Sequence, residues 1–256
     1  MARFAGSYSE FAMDRRTFAA LASFGFALPR LIGSARADQI DPVRKASGNV
    51  APTTPSADLS VDEIVARVEA FYEQVTTFKA SFNQRLPHDW AGKHAGLVLF
   101  ERPGKMSWRY TQSGNRVVSD GTRVRIYERE NKQLYELDVA ASQYPAALSF
   151  LSAPGKLRQA FAFTMPKPAR MGGEGRHVLL AEPLQPSPAF ERVAFFIDVQ
   201  SYEVRRVLLI DAQGNKNRFD FAAGKLNLPV PASEFVFSAP PGTQILTIPS
   251  HSRTRP

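Results

Sequence analysis

The sequence predicts a mainly β domain with a few helices, an α+β fold built on a curved antiparallel sheet or open barrel. Three observations lead there. An amphipathic helical segment gives way near residue 78 to alternation, so the apolar period changes from 3.6 to 2. Alternating stretches then recur at intervals of about 8–12 residues, the spacing of all-β architectures. Turn-forming groups separate them, namely Arg102-Pro103-Gly104, Ser113-Gly114-Asn115, Asp120-Gly121 and Gln213-Gly214-Asn215.

The elements follow in chain order. Residues 1–37 read as an export signal. Arg15-Arg16-Thr17-Phe18 is a twin-arginine pair before a short apolar run to Leu28, and Ala35-Arg36-Ala37 is a small-x-small cleavage pattern. An ordinary secretory signal carrying two arginines is the alternative, and Met13 is an alternative start. The run falls short of the roughly 20 residues a membrane-spanning helix needs. Residues 38–57, with Pro42, Pro52 and Pro55 among small polar residues, form a tether. The domain is expected over 58–246 and a basic tail over 247–256.

Ser60-Val61-Asp62-Glu63 is a capping box. The helix after it places Ile64, Val65, Val68, Phe71, Tyr72 and Val75 on one face and ends near Thr76. Phe78, Ala80 and Phe82 then alternate with Lys79, Ser81 and Asn83, opening the first strand. Strands are expected at His94–Glu101, Lys105–Tyr110, Arg116–Ser119, Thr122–Arg129 and Gln133–Leu137. Later strands are expected at Arg176–Glu182, Arg192–Asp198, Glu203–Asp211, Lys216–Phe221 and Glu234–Ser238. In His94–Glu101, Leu97 and Leu99 share one face and Val98 and Phe100 the other. Ala146–Leu151 and Gly155–Phe161 read as short helical or irregular pieces.

Composition excludes several chemistries. The chain has 256 residues and no cysteine, so disulfides, thiol nucleophiles and cysteine-ligated metals are ruled out. Its formal charge is +8, but without residues 1–37 it has 27 bases and 22 acids, a net +5. Those bases interleave with acids, as in Arg123, Arg125 and Arg129 with Asp120, Glu128 and Glu130. That pattern is a solvated surface and argues against a nucleic-acid groove. The histidines His88, His94, His177 and His251 lack metal-ligand spacing. Gly172-Gly173-Glu174-Gly175 lacks the Lys-Ser/Thr of a phosphate loop and reads as a hairpin loop. No nucleophile elbow or isolated carboxylate pair is present, so the sequence nominates no enzyme activity, no metal site and no cofactor. Fourteen of the 19 phenylalanines follow residue 37. They fit an ordinary core or the wall of a ligand cavity.

From Val61 to Ile245 the chain resembles the periplasmic outer-membrane lipoprotein carriers (LolA-like). The resemblance rests on Phe78-Lys79-Ala80-Ser81-Phe82-Asn83-Gln84 and on Glu101-Arg102-Pro103-Gly104-Lys105-Met106-Ser107-Trp108-Arg109-Tyr110. It continues through Val118-Ser119-Asp120-Gly121, Ile126-Tyr127, Asn217-Arg218-Phe219-Asp220-Phe221 and Leu226-Asn227-Leu228-Pro229-Val230-Pro231. Phe235-Val236-Phe237 and Pro240-Pro241-Gly242 complete it.

The resemblance implies an incomplete antiparallel barrel of about ten or eleven strands with a helical lid over a hydrophobic cavity. It implies a monomeric carrier whose cargo is acylated lipoproteins. Its partners would be an inner-membrane ABC-type lipoprotein-releasing transporter and an outer-membrane receptor. Arg102 matches the family's strand-end arginine, which holds the empty cavity shut through lid backbone. Phe71, Tyr72 and Val75, with Leu148, Phe150 and Leu151 further on, would be lid residues facing acyl chains. Phe78, Phe82, Leu97, Leu99, Met106 and Trp108 would line the cavity. The twin-arginine signal and the tether depart from the family pattern and leave room for a different hydrophobic cargo. A lipid- or lipoprotein-sensing adaptor of the same fold, regulating an envelope signalling complex, is the alternative. An envelope hydrolase is a third reading for which no nucleophile is nominated.

Overall fold

In a computed structural model the described residues are 59–247 apart from 88, 140–156, 167–174 and 188. Helix α1 spans Val61–Glu73. The Ser60 hydroxyl accepts the Glu63 amide at 3.2 Å, and the Glu63 carboxylate accepts the Ser60 amide at 2.8 Å. Those Ser60 donors hold the Glu63 carboxyl below its usual range. The expected capping box is therefore formed. The helix stops at Glu73, with Gln74 as its C-cap, slightly before the expected end.

The strands are β1 (Thr77–Leu86), β2 (Asp89–Glu101), β3 (Lys105–Tyr110), β4 (Arg116–Asp120), β5 (Arg123–Glu128) and β6 (Gln133–Asp138). A helical turn, α2 (Leu157–Ala160), leads into β7 (Phe161–Thr164). Then come β8 (Arg176–Pro183), β9 (Arg192–Asp198), β10 (Val204–Ile210), β11 (Lys216–Phe221), β12 (Lys225–Leu226) and β13 (Gln244–Thr247). They form one large sheet in the order β13-β6-β5-β4-β3-β2-β1-β11-β10-β9-β8-β7, with β12 pairing the start of β1. Every pairing is antiparallel except that of β13 with β6. β1 and β2 are the long central pair, with Phe78 opposite Phe100 and Phe82 opposite Gly96.

Alternation sets the two faces. The inner face carries Phe78, Ala80, Phe82, Val98, Phe100, Met106, Trp108, Val117, Val124 and Ile126. Helix α1 lays Ile64, Val65, Val68 and Tyr72 on it, Val75 just past the helix end joins them, and together they form one continuous core. Gly96 permits a close approach there. A β-carbon at this position would lie 1.8 Å from the Arg109 carbonyl oxygen, so no other residue fits. On the outer face of β8–β10 a smaller cluster gathers Val178, Ala194, Phe196 and Leu208.

Two departures concern the C-terminal part. Glu234–Ser238 does not form the expected strand. Ala232–Phe235 is a 3₁₀ turn, and the chain beyond it is extended without a ladder. Pro231 on one side, and Pro240 and Pro241 on the other, restrict pairing. Residues 227–237 instead cross the outer face as a strap. Glu234 pairs with Arg109, Phe235 is buried beneath Lys105, and the Phe237 ring meets Tyr127 and Arg116. The strap carries the chain to β13, a parallel edge strand not expected from sequence, and Thr247 belongs to that strand.

In the Gly155–Phe161 piece Leu157–Ala160 is helical as expected, and only Phe161 departs, because it opens the strand β7, which pairs with β8. Residues 1–37, the tether 38–57 and the piece Ala146–Leu151, with Leu148, Phe150 and Leu151, lie outside the described residues.

Candidate functional site

The inner face is built around Trp108, which is 1% exposed. Its indole meets Phe82 edge-on at 4.8 Å, Phe100 at 5.9 Å and Phe219 at 5.6 Å, and Phe221 lies 6.2 Å away. Four strands converge here because β1, β2, β3 and β11 are neighbours in the sheet and each turns an aromatic inward. Phe78 packs on Phe100, Met106 is fully buried, and Phe82 also meets Tyr110 edge-on at 5.1 Å. A second aromatic group, Phe161, Phe163 and Phe195, extends the wall toward β7. Such a wall binds by excluding water rather than by directed bonds.

The far end of the wall is polar but closed on itself. The Tyr110 hydroxyl donates to Gln84 Oε1 at 2.9 Å, and Gln84 Nε2 donates to Asn217 Oδ1 at 3.0 Å. Across the wall lies α1. Its Tyr72 hydroxyl accepts the Val204 amide at 3.1 Å, and burial pushes the Tyr72 pKa far up despite that bond. Phe71 packs edge-on against Tyr72 and is partly buried.

The hinge between α1 and β1 is held by polar contacts. Arg102 Nη1 donates to the Glu73 carbonyl at 3.4 Å, and the Arg102 amide donates to the Thr76 carbonyl at 2.9 Å. Burial lowers the Arg102 pKa, and the nearby Glu73 opposes that shift. Its Nε is buried with no hydrogen-bond partner among the described residues. Asn227 contributes more bonds. Its Oδ1 accepts the Thr76 amide at 2.8 Å and the Thr76 hydroxyl at 3.0 Å, and its Nδ2 donates to the Gln74 carbonyl at 3.1 Å. Its φ is 54°, a left-handed conformation that asparagine tolerates better than most residues.

The structure brings together Tyr72, Val75, Phe78, Phe82, Met106 and Trp108 in one core, with Phe71 against it and Arg102 at the hinge. It does not bring in Leu97 and Leu99. β2 turns Val98 and Phe100 inward, so these two leucines face outward, with Leu97 42% exposed. They line a groove beneath the strap instead, which corrects their assignment to the cavity. Phe100, Phe219 and Phe221 went unnominated, although the Val98-Leu99-Phe100 and Phe219-Asp220-Phe221 alternations place each on one strand face. Asn227 went unnominated too, because only the fold carries residue 227 to residues 74–76. No helix among the described residues is long and apolar enough to cross a membrane.

The profile described as outer membrane lipoprotein carrier protein LolA matches residues 73–238. An outer-membrane lipoprotein carrier protein of Ralstonia nicotianae is 31% identical over 195 residues, covering 71% of this chain and 86% of that protein. One of Bordetella avium is 31% identical over 203 residues, covering 77% and 91%. Among solved structures, a LolA superfamily protein of Nitrosomonas europaea aligns with a TM-score of 0.41 at 11% identity, covering 70% of this chain and 98% of that one.

Proposed function

The chain belongs to the outer membrane lipoprotein carrier (LolA) family, and from that premise we propose that it carries acylated lipoproteins through the periplasm. It would receive them from an inner-membrane ATP-driven transporter and give them to an outer-membrane receptor. The observation that carries this reading is the continuous aromatic wall around Trp108 lying under one helix, α1. Acyl chains and α1 compete for the same apolar surface.

The energetics suit transport. Removing acyl chain from water is worth about 0.8 kcal/mol per methylene, so a triacylated protein needs an energy source to leave a bilayer. Non-covalent affinity levels off near roughly −20 kcal/mol, so a carrier that releases cargo must cover the chains incompletely. A helix that returns to the wall supplies the opposing term. Arg102 favours the closed arrangement by capping the end of α1, where a guanidinium complements exposed carbonyls. Phe71 and Tyr72 of α1, with Val75 just beyond its end, would meet the acyl chains on the lid side, and Phe78, Phe82, Met106 and Trp108 on the wall.

The test is release of a triacylated lipoprotein from spheroplasts on adding the purified chain. ATP-dependent appearance of a soluble one-to-one complex supports the reading. Release unchanged by the chain overturns it, and recovery of phospholipid alone would favour a lipid-sensing adaptor.

A further inference from the structure

The outer face carries a groove that the carrier reading does not use. It runs between the strands β1–β2 and the strap residues Leu228–Pro231, and it has a volume of about 120 Å³. Its floor is apolar, with Leu97 42% exposed and Leu228 46% exposed. That space is well below the roughly 300 Å³ at which small-molecule pockets begin and suits one large side chain. Pro229 and Pro231 form a wall with few backbone donors.

The charge around it is unbalanced. Lys79, Lys225 and Arg109 line the groove, and Glu234 is the one acid among the lining residues. Arg109 also stands directly opposite Arg116 in the β3–β4 register, an unfavourable like-charge pair. The Arg116 Nε is buried with no hydrogen-bond partner among the described residues. Glu234 is already engaged by Arg109. The surroundings therefore favour incoming carboxylate.

The strap beside the groove is the same segment that holds the hinge. Asn227 bonds to Gln74 and Thr76, and the next residue, Leu228, accepts the Thr77 hydroxyl through its carbonyl at 2.7 Å. Pushing Leu228 away from the sheet must disturb Asn227, since the two are adjacent in the chain.

We propose that this groove docks an extended acidic peptide segment of a partner protein, one apolar side chain seated between Leu97 and Leu228 and its flanking carboxylates on Lys79 and Lys225, and that docking loosens the α1 hinge through Asn227. The coupling half of this proposal rests on the carrier reading, whereas the docking half does not. A flat anionic bilayer reaches the two lysines but not the recessed floor, which is why a peptide is the better fit.

The full chain is titrated with the fluorescein-labelled hexapeptide Asp-Ile-Asp-Pro-Leu-Glu, with its Lys-for-acid counterpart as control. Anisotropy should rise for the acidic probe alone, and Lys79→Glu with Lys225→Glu should weaken it by roughly tenfold or more, as expected for two reversed contacts. Leu97→Asp should weaken it without touching the inner core. Equal binding of both probes, or no effect of the lysine reversal, overturns docking, as does binding to anionic vesicles with none to the peptide. Coupling is read separately as the off-rate of a fluorescent fatty acid. The acidic probe should slow it several-fold in the parent chain, because a loosened α1 competes less with the acyl chain for the wall, and leave it unchanged in Asn227→Gly. Slowing that persists in Asn227→Gly overturns the coupling. Absence of fatty-acid binding removes the carrier premise and with it the coupling, while peptide anisotropy still decides the docking.

Discussion

Arg102 and Asn227 bond to consecutive carbonyls at the end of α1, Arg102 to that of Glu73 at 3.4 Å and Asn227 to that of Gln74 at 3.1 Å. Residues 125 positions apart in sequence thus secure the same hinge. Arg102 comes from the turn after β2, and Asn227 from the start of the strap. Helix ends leave carbonyls without partners, so these two side chains satisfy what the helix cannot.

Removing the guanidinium should bias the hinge open. Arg102→Leu is expected to bind acylated cargo as the parent chain does and to transfer it to a receptor at least several-fold more slowly. Arg102→Lys should be intermediate, because one ammonium cannot reproduce the planar set of donors. Transfer rates measured with purified receptor check this, and unchanged transfer by Arg102→Leu would sink the latch role.

Asn227 carries a distinct prediction from its backbone. Its φ of 54° suits glycine better than alanine. Both Asn227→Gly and Asn227→Ala lose the bonds to residues 74–76, a cost of about 1–2 kcal/mol. Alanine should cost about 1 kcal/mol more, from the left-handed strain. Urea midpoints at constant m would test the order, and an alanine variant as stable as the glycine variant contradicts it.

The fold was largely legible because alternation is a local signal. Phe78, Ala80 and Phe82 could be assigned to one face without knowing any neighbour, and so could Leu97 and Leu99. Which face becomes the inner one is a tertiary matter, decided by where α1 packs. That is why Leu97 and Leu99 were placed in a cavity they do not line. The strap failed for a related reason. Glu234–Ser238 has strand-like alternation, but Phe235 and Phe237 find their partners across the sheet's outer face, on Lys105, Arg116 and Tyr127, rather than beside a strand. β13 was missed because a parallel pairing reached by a crossing segment leaves no turn signature. Asn227 is the clearest case of a functional candidate without a local signal, since its partners are about 150 residues earlier.

Trp108 should report directly on occupancy of the inner wall. It is 1% exposed among Phe82, Phe100 and Phe219, so its emission in the empty chain should be blue-shifted. The chain has two tryptophans, and Trp90→Phe isolates this one. Adding a long-chain fatty acid is expected to change the Trp108 emission saturably, and a brominated acyl chain should quench it. Quenching equal to that of free tryptophan in solution would place the acyl chain elsewhere. Trp108→Ala is expected to cost about 3–5 kcal/mol, so it is a poor substitute for the spectroscopic test.

His177 gives the fold a pH dependence of predictable sign. It stacks on Tyr202 at 6.1 Å, and Arg67 of α1 lies over the same tyrosine ring. Burial lowers the His177 pKa below 6.5, and the positive charge of Arg67 lowers it further. A base whose folded pKa is depressed binds fewer protons in the folded chain than in the unfolded one. Stability therefore rises with pH through the window below about 6.5 and falls as the imidazole is forced to protonate. Glu63, Asp120 and Asp198, whose carboxyls accept nearby hydrogen bonds that lower their pKa, lose their protons below this window. His177→Gln should flatten the part of the stability curve below about pH 6.5, leaving the value at pH 8 nearly unchanged. Arg67→Gln should shrink the same slope, because easing the protonation of His177 brings its folded pKa closer to the unfolded one. Urea unfolding at several pH values checks both, and a His177→Gln curve parallel to that of the parent chain would show that the histidine is not the titrating group.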